Sequence, residues 1–147
     1  MGGVLLATML FTPAHAHKAM AMREHTLLGH LDIRFLVDDQ GRLCANMPVD
    51  HRTHQPMGLL HGGATAALAE SLGSVASALL IDLDKQAVVG LEVSVNHLKG
   101  VRSGTVTATG ELLHHGRTTH VWDIRVRNEQ DELVAVCRLT NLVIERR

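Results

Sequence analysis

Tyrosine is missing from this chain, and the other large aromatic residues come to three: Phe11, Phe35 and Trp122. So few rings argue against the stacking platforms that hold single-stranded nucleic acid. Cysteine is nearly as scarce. Cys44 and Cys137 are too few for a disulfide framework, and both fall in strand-like runs where a small buried thiol is the expected role. Net charge is −1, from 14 basic and 15 acidic residues, so the field of the chain steers neither nucleic acid nor a membrane surface toward it. The N-terminal apolar run falls far short of the roughly 20 residues that span a bilayer. Internal repeats, low-complexity tracts and an interdomain linker are lacking too. What is present, 147 residues with 46% hydrophobic composition, suits one domain with a real core.

The chain changes period as it runs. Val4 to Phe11 resembles the apolar region of a signal peptide, with Ala14-His15-Ala16 as a cleavage site, but no Lys or Arg precedes it. The preferred reading is therefore a helical or extended appendage on a cytoplasmic protein. Ala19 to Gly29 reads as a short helix, so residues 1–29 form an extension and 30–147 the domain proper. From Leu31 the period is two. Leu31 to Val37 and Leu43 to Val49 pair across the turn Asp38-Asp39-Gln40-Gly41. Val88 to Leu98, Gly104 to Leu113 and Thr119 to Arg127 are further strands. Leu133 to Ile144 is nearly all apolar, which predicts a strand covered on both faces.

Between these strands lies the only long segment of helical period, GLLHGGATAALAESLGSVASALLIDL, from Gly58 to Leu83. Ala69, Leu72, Ala76, Leu79, Leu80 and Leu83 share one apolar face. Glu70, Gly73, Ser74 and Ser77 share a second, small and polar, with one carboxylate in it. Gly62-Gly63 sits where the helix begins, and N–H groups there lack helical partners and feel the positive end of the macrodipole. The pattern describes two things equally well: an oxyanion-binding helix start with a carboxylate two turns along, or a buried helix whose Glu70 faces solvent and whose glycines make a turn. One helix between two sets of strands joined by short turns gives an α+β domain, an antiparallel sheet wrapped around one long central helix. The sheet edges left over invite a second chain.

The segment MPVDHRTHQPMGLLHGGATAALAESLGSVA, from Met47 to Ala76, resembles the signature of hotdog-fold acyl-CoA thioesterases. Within them it is similar to the branch of the 1,4-dihydroxy-2-naphthoyl-CoA and enterobactin proofreading thioesterases, part of the PaaI-like superfamily. VVGLEVSVNHLKG and HHGRTTHVWDIRV continue the likeness, which covers about Leu31 to Ile144. The resemblance implies a sheet wrapped around one helix in a homodimer, often a dimer of dimers. It implies Gly62 N–H as oxyanion donor, Gln55 as a holder of the carbonyl or water, and His61 as an orienting group. Gly90, His97 and Gly100 match positions that approach CoA.

A thioester expels a thiolate, a leaving group that departs without strong protonation, so the enzyme needs an activated water or nucleophile and a site for the oxyanion. A glutamate is ionised at neutral pH without special surroundings. Glu70 can therefore attack the carbonyl or act as general base on water, and Ser74, one turn on, can orient the water or the carboxylate. No G-x-S-x-G elbow is present, which disfavours a serine hydrolase. For CoA phosphates, Lys99 and the turn His115-Gly116-Arg117-Thr118 supply cations and backbone N–H groups. Eleven histidines raise the question of metal, but His51 and His54, or His114, His115 and His120, have no zinc-like partners, so neither metal nor cofactor is expected. The competing reading is a non-catalytic hotdog protein that binds acyl thioesters or serves as a dimerisation module. Glu70 separates the two, since a binder needs no carboxylate at the carbonyl. The acyl group is expected to be aromatic, carried on CoA or on an acyl or aryl carrier protein.

Geometry adds one requirement. Gly62 and Glu70 stand eight residues apart, about 12 Å along the helix axis. One thioester carbonyl spans no such distance, so an antiparallel second copy is expected to bring its Glu70 to the first chain's Gly62. The small residues Gly73, Ser74 and Ser77 are expected to leave room there for substrate and partner.

Overall fold

The computed structural model describes residues 10–147, so most of the apolar N-terminal run lies outside the described residues. The elements are α1 (Pro13–Ala21), α2 (Leu27–His30), β1 (Arg34–Val37), β2 (Leu43–Pro48), α3 (Gly62–Ala78), β3 (Gln86–His97), β4 (Thr105–His115), β5 (Thr119–Arg127) and β6 (Leu133–Glu145). Six strands form one sheet in the order β1-β2-β4-β5-β6-β3, with every neighbouring pair antiparallel. The sheet wraps around α3, the hotdog arrangement implied by the resemblance.

Helix α3 forms because its residues favour it. Alanine recurs through GGATAALAESLGSVASA, and only Thr65 and Val75 are β-branched. Its buried face is Ala64, Thr65, Leu68, Ala69, Leu72, Gly73, Val75, Ala76 and Ser77, packed against Met47, Trp122, Ile124 and Leu139. Burying each leucine there contributes about 2 kcal/mol. The helix is shorter than its apolar period suggests. It stops at Ala78, where Leu80 N–H turns to Ser77 O at 3.1 Å, a tighter bond than the helical one. Asp82 then accepts from Asp84 N–H, and Leu83 is left exposed.

Three further sequence expectations need correction. The helix expected over Ala19 to Gly29 is two helices. The first begins at Pro13, where Thr12 N–H donates to His15 Nδ1 at 3.0 Å. Its Ala19 is buried, and Phe11 just before it packs 6.3 Å from the Trp122 ring, so both belong to the core. Strand β6 is not covered on both faces. Val134, Ala135, Cys137, Leu139, Asn141 and Val143 are buried, while Arg138 is exposed and Val136, Thr140 and Leu142 are half-buried on the outer side. Finally, strands joined by short turns are expected to lie side by side, and β3 and β4 do not. Strand β3 crosses to the far edge and, among the described residues, pairs only with β6.

That edge is open. Strand β3 has 12 residues, none of them buried, and Val89 and Leu91 are exposed on it. A bulge between Gly90 and Glu92 removes Leu91 from the ladder and leaves it exposed, while beyond it Val93 and Val95 pack on the core and Ser94 and Asn96 face out, the alternation expected from the sequence. Strand β5 keeps the expected alternation, with Trp122, Ile124 and Val126 buried. Cys44 and Cys137 are free, buried thiols. Among the described residues no helix is long and apolar enough to cross a membrane.

Candidate active site

The loop before α3 is tied down by its own backbone. Gln55 N–H donates to Leu59 O at 2.8 Å, Gly58 N–H to Gln55 O at 2.9 Å, and Leu60 N–H to Val101 O at 2.7 Å. Buried Thr53 anchors its root, with Oγ1 donating to Pro48 O at 2.8 Å and its carbonyl accepting from His61 N–H at 2.8 Å. Gln55 Oε1 accepts from Met57 N–H. With Oε1 engaged, the amide atom left unspent is the donor, Nε2, which suits a carbonyl.

His61 is the N-cap of α3. Its Nδ1 accepts from Gly63 N–H at 2.7 Å, and its carbonyl accepts from Ala64 and Thr65 N–H. Of the two glycine N–H groups expected to be free, Gly63's is thus engaged. Gly62 N–H has no acceptor among the described residues, at the positive end of the helix. The His97 ring packs against the Gly62 Cα: a Cβ there would stand 2.9 Å from His97 Nε2, so any side chain at this position would displace the ring.

A cavity of about 380 Å³ opens here, lined by Gln55, Leu59, Leu60, Gly62, Thr65, His97, Leu98, Lys99, Gly100 and Val134. Five residues singled out in the sequence, Gln55, Gly62, His97, Lys99 and Gly100, meet in it. Thr65 and Val134 line it as well and went unmarked, because they read as ordinary core positions. Lys99 has a partner: its Nζ lies 2.7 Å from Glu132 Oε2. The bonds from Lys99 and Asn128 hold the Glu132 carboxyl below its usual range.

The remaining predicted residues gather elsewhere. Glu70 is exposed, and its Oε1 lies over Gly90, where a Cβ would stand 2.6 Å away. Ser74 is half-buried one turn along, its Oγ donating to Asn141 Oδ1 at 3.4 Å. The turn 115–118 is on the same side. Val143 N–H donates to Thr118 O at 2.8 Å, and Val143 pairs with Val88, two residues from Gly90. Arg117 is exposed, while Gly116 N–H is committed to Thr119 O. His115 is exposed, its ring 4.7 Å from that of His120.

The small polar face is not all open. Gly73 and Ser77 are buried, and a Cβ on Gly73 would collide with Leu139 Cδ2. Ser77 Oγ accepts from Trp122 Nε1 at 2.9 Å and Asn141 Nδ2 at 3.1 Å. These two residues bring the helix close to its own sheet instead of making room for a partner; Glu70 and Ser74 alone face outward. Asn141, fully buried in β6, is the residue the sequence reading missed. The signal was there: it is the only amide in the apolar run from Leu133 to Ile144.

Known proteins share this chain's sequence and form. A family model described as the thioesterase superfamily matches residues 57–135. The 1,4-dihydroxy-2-naphthoyl-CoA hydrolase of Escherichia coli is 46% identical over 124 residues, 84% of this chain and 90% of that protein. The crystal structure of a mutant of thioesterase PA1618 from Pseudomonas aeruginosa superposes with a TM-score of 0.86 at 49% identity, covering 89% of this chain and 94% of that one. Thioesterase HI1161 of Haemophilus influenzae gives 0.84 at 40% identity, covering 96% of both chains.

Proposed function

The chain belongs to the thioesterase superfamily and is a thioester hydrolase, and we propose that it releases an aromatic carboxylic acid from an acyl-CoA in sites built from two chains. One observation carries the reading: the free Gly62 N–H and the Glu70 carboxylate lie on one helix, each with its own set of ligand-facing residues. The Gly62 set holds donors, namely Gly62 N–H and Gln55 Nε2, and receives the thioester oxygen. The Glu70 set holds the base or nucleophile. Strand β3 is the open edge between them, and a second chain pairing there antiparallel, its Gly90 opposite His97, brings the sets together.

In the base route, Glu70 takes a proton from water as the water oxygen bonds to the acyl carbon. Charge moves to the carbonyl oxygen at Gly62 N–H, and the C–S bond then breaks with its electrons leaving on sulfur. In the nucleophilic route the carboxylate itself forms the first bond, and water later cleaves the anhydride. Lys99 and Arg117 meet the CoA phosphates. The E. coli relative's name favours an aromatic acyl group, and the lining of Leu59, Leu60 and Val134 suits an apolar one. The test is hydrolysis of a panel of aryl- and alkanoyl-CoA esters by wild type and Glu70→Gln. Turnover should be fastest on aryl esters and fall at least about a hundredfold in the variant. Near-wild-type single-turnover hydrolysis by folded Glu70→Gln would sink the assignment.

A further inference from the structure

We propose that Asn141 is a positioning residue for hydrolysis: it fixes the direction of the Ser74 hydroxyl, so that Ser74 presents lone pairs, not a proton, beside Glu70. The inference rests on the reading of Glu70 given above.

The direction follows from donors and acceptors whose roles are fixed. Asn141 is fully buried, and its side-chain nitrogen lies 3.1 Å from Gly73 O, which can only accept. That contact decides the orientation of the amide. The second amide hydrogen goes to Ser77 Oγ at 3.1 Å, beside the donor-only Trp122 Nε1 at 2.9 Å. Both Asn141 hydrogens are then spent on α3. The atom facing Ser74 is Oδ1, an acceptor, and Ser74 must supply the hydrogen between them at 3.4 Å.

What remains on Ser74 is acceptor capacity, turned toward the same side as Glu70 four residues earlier. The carboxylate over Gly90 is also an acceptor. A Cβ on Gly90 would stand 2.6 Å from Glu70 Oε1 and 3.9 Å from Asn141 Oδ1, so the carboxylate and the amide converge on one point of the sheet. A molecule that satisfies Glu70 and Ser74 together must bring two hydrogens. Water does, and a thioester carbonyl does not. The carbonyl finds its donors at Gly62 and Gln55. Asn141 thereby sorts the two reactants and favours the route in which Glu70 deprotonates water.

The experiment is a double-mutant cycle between Asn141 and Ser74 on a CoA ester the enzyme hydrolyses, with Tm measured for each protein. Asn141→Leu removes the acceptor and should lower kcat about tenfold or more with KM within about twofold, the scale of one misdirected hydrogen bond at the reacting water. In a Ser74→Ala background the same change should cost almost nothing further, because the group it acts through has gone. Asn141→Asp keeps an oxygen toward Ser74 in either protonation state. It should rescue most of the kcat lost in Asn141→Leu while Tm stays low, since an acid keeps at most one of the two donors that Asn141 gives to Gly73 O and Ser77 Oγ. An unchanged kcat in Asn141→Leu, an equal loss in both backgrounds, or a loss in Asn141→Asp as large as in Ser74→Ala would each overturn the proposal. Should Asn141→Leu fail to fold, the comparison of Asn141→Asp with Ser74→Ala decides alone. Glu70→Gln is assayed in parallel: full turnover there defeats the Glu70 reading, whereas the coupling of Asn141 to Ser74 is read without it.

Discussion

Gly62 and Glu70 share helix α3 but answer to two separate points of one strand: the His97 ring packs against Gly62, and Glu70 Oε1 lies over Gly90. Seven residues of β3 separate Gly90 from His97, about 23 Å of extended chain. Eight residues separate the helical pair, about 12 Å. A hydrogen bond needs about 3 Å, so a single carbonyl reaches one of these points and not the other.

Complementation between inactive variants tests the consequence. Glu70→Ala removes the carboxylate from one set, and Gln55→Ala removes a donor from the other. Mixed under subunit exchange, heterodimers should regain up to one working site of two. Heterodimers confirmed by native mass spectrometry without recovered activity would mean that the site lies within one chain.

Lys99 reaches the cavity only in competition with Glu132, at 2.7 Å and with both side chains about half exposed. Such a pair is held weakly in water. Glu132→Gln should therefore free the ammonium and lower KM for CoA esters by a few fold, while Lys99→Ala and Arg117→Ala raise it with kcat little changed. The effect should shrink with added salt and with a substrate lacking the nucleotide. A KM unmoved in the Lys99→Ala/Arg117→Ala double variant would return both residues to the role of solvated charges.

The sequence carried the architecture because periods report faces. The alternation of Trp122, Ile124 and Val126 and the three-and-four spacing of Ala69, Leu72 and Ala76 each mark a side that must be buried. Periodicity does not say against what. Gly73 and Ser77 looked like space for a substrate, yet small residues equally let a helix lie close to its own sheet, and here they do. Leu79, Leu80 and Leu83 prolong the apolar period past Ala78, where the backbone has already turned. The Lys99–Glu132 pair joins residues 33 apart in sequence, and Asn141 meets Gly73, Ser74 and Ser77 across 64 residues or more. Such contacts depend on strand order, with β3 beyond β6, which no local pattern encodes.

Cys137 and Cys44 should behave as core atoms and not as reactive thiols. Burial pushes the Cys137 thiol up to about 11 and raises that of Cys44 as well. The thiolate is the reactive form, so at neutral pH a thiol-directed reagent should label neither residue in the native protein and both after denaturation. Rapid native labelling with loss of activity would contradict the burial of both.

Acid should destabilise the fold through His120. Its side chain is buried in β5, and Nδ1 is buried with no hydrogen-bond partner among the described residues. Burial, and then the proximity of His115 and His114, lower its pKa below the ordinary histidine value. The folded state thus binds this proton less readily than the unfolded chain, whose histidine titrates near 6.5. Stability from the neutral ring is fully present above that value, and is lost as pH falls through it toward the lower folded pKa. His120→Gln keeps a neutral side chain and removes the titration. Between about pH 7.5 and 5.5 the wild type should therefore lose more Tm than His120→Gln, by about 2–4 °C for each kcal/mol of linked protonation. Equal losses in the two proteins would assign the acid sensitivity to other groups.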